Sequence, residues 1–102
     1  MAITYVRATI SAQNTWSDPM RIGNNELRGG GPKSIFAKAV MTDGATVSVQ
    51  VKRPDEDDWI TIQTLEQSDV YVGYLVGSWD LRIGVATGHF VSDDVEVEVG
   101  IG

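Results

Sequence analysis

The densest chemistry-bearing run in the chain is Asp55-Glu56-Asp57-Asp58, consecutive carboxylates between Pro54 and Trp59. Hard cations take several oxygen ligands, which invites a calcium reading. The spacing argues against it. The helix-loop-helix calcium motif alternates its ligands and needs a glycine at its sixth position. A solvated turn whose charges discourage edge-to-edge strand pairing fits these residues better. Asp93 and Asp94, at the start of a strand, raise the same question and take the same answer. Gly29-Gly30-Gly31-Pro32-Lys33-Ser34 has the outline of a phosphate loop. That motif requires glycine directly before the lysine. Here Pro32 stands in that place and has no N–H to offer a phosphate. His89 is the lone histidine, and no nucleophile elbow accompanies it. The reading is therefore non-enzymatic, with no metal and no cofactor expected.

The aromatic residues are the remaining candidates: Trp16, Trp59, Trp79, Tyr5, Tyr71 and Tyr74. Exposed on a sheet, such rings either stack on sugars, making a carbohydrate-binding module, or anchor a protein interface. Trp59 and Trp79 open strands and are expected in the core or at its edge. Trp16 lies in an irregular stretch and is the better interface candidate.

The elements that would position these residues are strands. Val47, Val49 and Val51 alternate with Ser48, Gln50 and Lys52, the period of a half-buried strand. Pro54 ends that strand, and Trp59 to Leu65 returns from it. Ile3 to Ile10 is a β-branched first strand. Lys33 to Met41 fits helical and strand spacing alike. Its shortness and the Asp43-Gly44 turn signal favour a strand, with a hairpin into the next. Val70 to Val76 reads as a strand kinked at Gly73. Leu81, Ile83 and Val85 alternate with Arg82, Gly84 and Ala86, and Val95, Val97 and Val99 alternate with Glu96 and Glu98. The result is an all-β domain spanning residues 1–102: a small antiparallel β-sandwich, or partly open barrel, of about seven or eight strands. Residues 11–34 lack clean periodicity. Structureless loops beyond ~15 residues are uncommon, so either Pro19–Ile22 or Glu26–Arg28 is a short strand, or the stretch is a docking arm.

Composition narrows the partners. The chain has no cysteine, so disulfides and thiolate metal sites are excluded. No apolar run approaches the ~20 residues of a membrane span. The N-terminal Met-Ala-Ile-Thr-Tyr-Val-Arg lacks a basic start and apolar block, so use without secretion is expected. A net charge of −6 argues against general nucleic-acid binding. Residues 1–53 hold seven Lys/Arg and three Asp/Glu, and residues 54–102 hold one and eleven, giving +4 and −10. Either the domain has a basic and an acidic side, or strands from the two halves interleave and the asymmetry vanishes in space.

Three segments together resemble a known family: Ala8-Thr-Ile-Ser-Ala-Gln-Asn-Thr-Trp-Ser-Asp-Pro-Met-Arg-Ile22, then Val47-Ser-Val-Gln-Val-Lys-Arg-Pro-Asp-Glu-Asp-Asp-Trp59, then Leu81-Arg-Ile-Gly-Val-Ala-Thr-Gly-His-Phe-Val-Ser92 followed by Val95-Glu-Val-Glu-Val99. In this order they are similar to the small β-sandwich virion proteins of tailed bacteriophages. Asp-Glu-Asp-Asp replaces that family's Asp-Gly turn, and Phe90-Val91-Ser92-Asp93 replaces its aromatic-Thr-Ser-Gly turn. The resemblance implies a structural part of a virion, made in a bacterial cytoplasm: capsid decoration or head spike, with a neck or tail component as the alternative. It implies the major capsid protein or other virion proteins as partners. A homo-oligomer, for instance a trimer, is expected because oligomers are usually symmetric. The expected interface residues are Trp16, Pro19, Met20, Arg21 and Arg28.

Overall fold

The computed structural model describes residues 5–22 and 33–101. The described residues contain nine strands: β1 (Tyr5–Ile10), β2 (Thr15–Trp16), β3 (Met20–Ile22), β4 (Lys33–Val40), β5 (Val47–Lys52), β6 (Ile60–Leu65), β7 (Asp69–Leu75), β8 (Trp79–Val85) and β9 (Val95–Ile101). They form two antiparallel sheets, one ordered β1-β9-β4-β7 and the other β2-β8-β5-β6, with β3 also pairing β8. β2 and β3 lie against successive parts of β8, Thr15 opposite Val85 and Ile22 opposite Trp79. Taken as two pieces of one broken strand, they leave eight positions in two interlocked Greek keys, which is a jelly roll.

Period-two alternation builds the core. Ile35, Ala37 and Ala39 on β4, Val47, Val49 and Val51 on β5, Leu81, Ile83 and Val85 on β8, and Val95, Val97 and Val99 on β9 are all buried. Ile10 and Ile22 close the cluster from β1 and β3. Burying one such side chain stabilises the fold by roughly 1.5–3 kcal/mol relative to leaving it exposed. Lys33–Val40, whose spacing fitted helix and strand alike, is thus the strand that its shortness favoured. The strand count exceeds expectation by the split of β2 from β3.

Two expectations are corrected. The turn at Asp43-Gly44 is not a hairpin: β4 belongs to the four-stranded sheet and β5 to the other, so the chain crosses between layers there. The Asp43 carboxylate explains the corner. Its Oδ2 accepts from the Ser92 N–H, the Ser92 hydroxyl and the Asp93 N–H, tying it to the β8–β9 connection. Next, β7 is not kinked at Gly73 but pairs regularly with β4 from Lys33↔Leu75 to Ala39↔Asp69. A Cβ on Gly73 would stand 2.5 Å from the Tyr71 hydroxyl oxygen, so glycine there makes room for the Tyr71 ring. The short strand that the sequence offered at Pro19–Ile22 is present as Met20–Ile22. Residues 15–16 and 20–22 are strands of the five-stranded sheet, held by hydrogen bonds to β8.

The charge asymmetry of the two halves dissolves in the topology. In both sheets, strands from the first half alternate with strands from the second. Arg7 meets Glu98 at 3.5 Å, and Arg21 and Lys52 meet Asp80. Basic residues of the first half therefore meet acidic residues of the second across strand pairs, and among the described residues the two halves do not sort into a basic and an acidic side.

Candidate functional site

The outer face of the five-stranded sheet carries the most organised polar and aromatic cluster. With Val47, Val49 and Val51 inward, β5 turns Ser48, Gln50 and Lys52 outward. With Leu81, Ile83 and Val85 inward, β8 turns Asp80, Arg82 and Gly84 outward. The register sets Gly84 beside Ser48, Arg82 beside Gln50 and Asp80 beside Lys52.

Arg82 is the centre of this face. Its Cζ lies 4.0 Å from the centroid of the Trp16 ring and 4.2 Å from that of Trp59. Two rings cannot both lie beneath one carbon at that distance, so the guanidinium is held between them. Its Nε and Nη2 donate to the Gln50 side-chain oxygen at 2.9 and 2.7 Å, and Gln50 Nε2 donates to the Thr61 hydroxyl at 3.0 Å. Burial among these groups lowers the Arg82 pKa from its ordinary value, yet a guanidinium stays charged in proteins. Lys52 Nζ stands 5.5 Å over the Trp59 ring and donates to the Glu56 carbonyl. The order across the face is therefore Trp16, Arg82, Trp59, Lys52.

Local sequence explains how Trp16 reaches its place. Trp16 pairs with Gly84, where an added Cβ would fall on the Thr15 carbonyl oxygen and stand 2.7 Å from Trp16 Cα and 2.8 Å from Trp16 Cε3. Glycine lets the β2 backbone and indole lie directly on β8. Asn14 ends the turn into β2 with φ 52°, and its side-chain oxygen accepts the indole N–H at 3.1 Å. After Trp16 the strand breaks at Asp18-Pro19, but pairing continues through Ser17. The Ser17 N–H donates to the Ile83 carbonyl at 2.8 Å, and the Ile83 N–H donates to the Ser17 hydroxyl oxygen at 3.1 Å.

Asp80 organises the other end. Partial burial pushes its carboxyl up, but hydrogen bonds and attraction from Arg21 and Lys52 outweigh this and hold it below the ordinary carboxylate value. Arg53 stacks 4.1 Å over Trp79, beyond the same end of the sheet.

The expected interface residues separate. Trp16 and Arg21 lie on this face, and Pro19 is exposed in the break between β2 and β3. Met20 is corrected: it is buried in the core, because β3 alternates buried-exposed-buried over Met20, Arg21 and Ile22. Arg28 lies outside the described residues. Trp79 packs against the core, as expected of a strand opener. Trp59 does not: it shares the outward parity of Thr61 and is drawn over the sheet by Arg82 and Lys52. Trp59 was weighed as an aromatic candidate but assigned to the core or its edge; Arg82 and Gln50 are the residues that sequence reasoning passed over as site residues. The available signal was long polar side chains at the outward positions of two strands whose inward positions are purely aliphatic.

Elsewhere the chemistry is sparse. Asp55, Glu56, Asp57, Asp58 and Ile60 line an open depression beside the platform. Among the described residues, no three His, Cys, Asp or Glu side chains come together as a metal would require. His89 is exposed, and its backbone closes the turn by accepting from the Thr46 N–H and donating to the Ala86 carbonyl. No protein-family model, curated protein or solved structure matches the chain.

Proposed function

We propose that the chain is a non-enzymatic structural subunit of a tailed-phage virion. Its role is that of a capsid decoration or head-spike protein, and it docks through the outer face of the five-stranded sheet. The observation that carries this reading is the Trp16–Arg82–Trp59–Lys52 platform. Tryptophan and arginine dominate the energetics of protein interfaces. Here they are already immobilised by stacking and by hydrogen bonds to Gln50, so docking need not order flexible side chains. The resemblance of the Ala8–Ile22, Val47–Trp59 and Leu81–Val99 segments supplies the virion context. Jelly rolls serve in viral capsids and in lectins, and a fold alone assigns neither role. The two indoles flank the Arg82 guanidinium, whose Cζ lies 4.0 and 4.2 Å from their centroids, so a fixed cation takes the ring surface on which a sugar would stack. That arrangement favours a protein partner over a sugar.

Quantitative mass spectrometry of purified particles of the encoding phage tests this. Copy numbers in step with the capsid lattice are expected. Copy numbers matching a neck or tail ring would move the subunit there, and absence from particles would overturn the reading. Trp59→Ala, which removes half the cradle of Arg82 from outside the core, is expected to abolish incorporation while the circular dichroism spectrum is preserved.

A further inference from the structure

The four sheet edges are not alike. A long exposed edge strand offers unpaired backbone groups to another chain, and proteins blunt such edges with charges, prolines, bulges or breaks. The β2/β3 edge is broken at Asp18-Pro19. The β6 edge has a register shift against β5 between Val49 and Gln50 and lies beside the acidic turn. The β1 edge turns out Arg7, paired with Glu98, and Thr9, which donates to Glu96. β7 has no break, bulge or proline, and its one charge, Asp69, stands at its start. It runs unbroken from Asp69 to Leu75 with no bulge against β4. Its outward side chains are Val70, Val72 and Tyr74, at 52%, 62% and 71% exposure. Phe36 lies next to Val72 on the same face. Among the described residues, no strand pairs with its other side.

We infer that β7 is a self-association edge, pairing antiparallel with β7 of a second copy about a two-fold axis at Val72. Backbone direction supports it. The Val70 N–H is bonded to Asp69 Oδ1 at 2.8 Å instead of entering the β4 ladder. By alternation, the N–H and C=O groups of Val70, Val72 and Tyr74 therefore point to the open side. About that axis Val72 meets Val72 and Val70 meets Tyr74, so apolar side chains meet apolar side chains. Charge complementarity selects a second copy in the antiparallel sense. Glu66 and Asp69 precede or begin β7, with the exposed Lys38 opposite Val70, while Arg53 packs on Gly77 just beyond its end. The two-fold sets the acidic start of one strand beside the basic end of the other. A net charge of −6 opposes indiscriminate self-association, so the uncharged stripe flanked by opposite charges specifies one geometry. The axis closes on itself and gives a dimer, not the trimer that symmetry alone allowed. The inference does not depend on the virion reading.

Sedimentation velocity of the full chain across a concentration series tests it. A dimer is expected. Val72→Lys should raise its dissociation constant roughly a hundredfold, because a lysine meeting its own copy across the axis is both desolvated and repelled. Ile60→Lys, on the exposed β6 edge, should leave the dimer unchanged. A full chain that stays monomeric at every concentration, a Val72→Lys dimer of undiminished affinity, or equal loss in Ile60→Lys each overturns the inference. Should Val72→Lys fail to fold, amide hydrogen exchange on the unmodified chain decides. Protection of Val72 and Tyr74 must rise with concentration, and concentration-independent exchange overturns the proposal.

Discussion

Gly84→Ala should be the most damaging single-methyl change in the five-stranded sheet. The new Cβ meets backbone, not a flexible side-chain tip: the Thr15 carbonyl oxygen, and Trp16 Cα at 2.7 Å. Relief requires β2 to lift from β8, which breaks the Trp16↔Gly84 pairing and draws the indole off Arg82. Overpacking of this kind costs about 1–3 kcal/mol, and an exposed cation–π contact contributes about 0.5–1 kcal/mol. The expected loss is thus about 2–4 kcal/mol. At ~4–8 °C per kcal/mol for a domain near this size, the melting temperature should fall by roughly 8–32 °C. Gly84 has a backbone conformation that alanine adopts without strain, since its φ is not among the positive values. The effect is therefore steric. Gly44→Ala is the matched control: its Cβ meets nothing within 4 Å, so a shift within ~0.5 kcal/mol is expected. Thermal denaturation by circular dichroism reads the stability, and tryptophan emission should shift red as Trp16 is exposed. Equal melting temperatures for Gly84→Ala and Gly44→Ala would refute the packing argument for this edge.

Arg82→Lys should fail to rescue Arg82→Ala in urea denaturation, because an ammonium cannot fill the planar slot between two indoles and still fork onto Gln50; each is expected to lose about 2 kcal/mol. Ser17→Ala should cost about 1–3 kcal/mol by stranding the buried Ile83 N–H, and faster amide exchange at Ile83 would report the cause. Asp43 is held below its ordinary pKa chiefly by the Asp93 N–H, aided by the Ser92 N–H and hydroxyl against opposing desolvation. A carboxyl depressed in the folded state stabilises fully above its unfolded pKa of ~3.9 and loses that contribution as pH falls through the folded value. Acid titration of stability should therefore be shallower in Asp43→Asn than in the parent below about pH 4, with the gap widest at neutral pH.

The inward-facing strands were legible because side-chain direction has a period of two. Val47/Val49/Val51 and Val95/Val97/Val99 announce both a strand and its buried face with no knowledge of partners. The same rule separated Arg21 from its neighbours only once β3 was placed, since a three-residue strand is too short to show a period. Trp59 misled because size and apolarity point to the core, while parity with Thr61 points outward. Parity won because Arg82 supplied a partner on the outer face. That partner is remote in sequence: Arg82 reaches Trp16 and Trp59 only because β8 lies between β2 and β5. The Asp43-Gly44 turn has hairpin residues, yet its carboxylate bonds to a loop about fifty positions away, and that contact makes it a corner between layers.

The two surfaces act together through the geometry of strand addition. A two-fold that pairs β7 with its copy in one continuous sheet stands perpendicular to that sheet, so the outward faces of both four-stranded halves look the same way. The five-stranded sheets, packed on the opposite side, then both turn their Trp16–Arg82–Trp59 platforms in the other direction. A dimer of this form presents two docking faces side by side, on one surface, at a fixed spacing. Once the first platform binds a periodic shell, the second does so at high effective concentration, and the pair is retained far longer than either alone. Val72→Lys touches no residue of the platform. It should nevertheless weaken retention on particles, whereas Trp59→Ala should abolish docking while leaving the dimer whole. That crossed pattern separates bivalent attachment from a β7 edge that contacts the shell directly, in which case loss of the dimer and loss of binding would not follow the same concentration dependence.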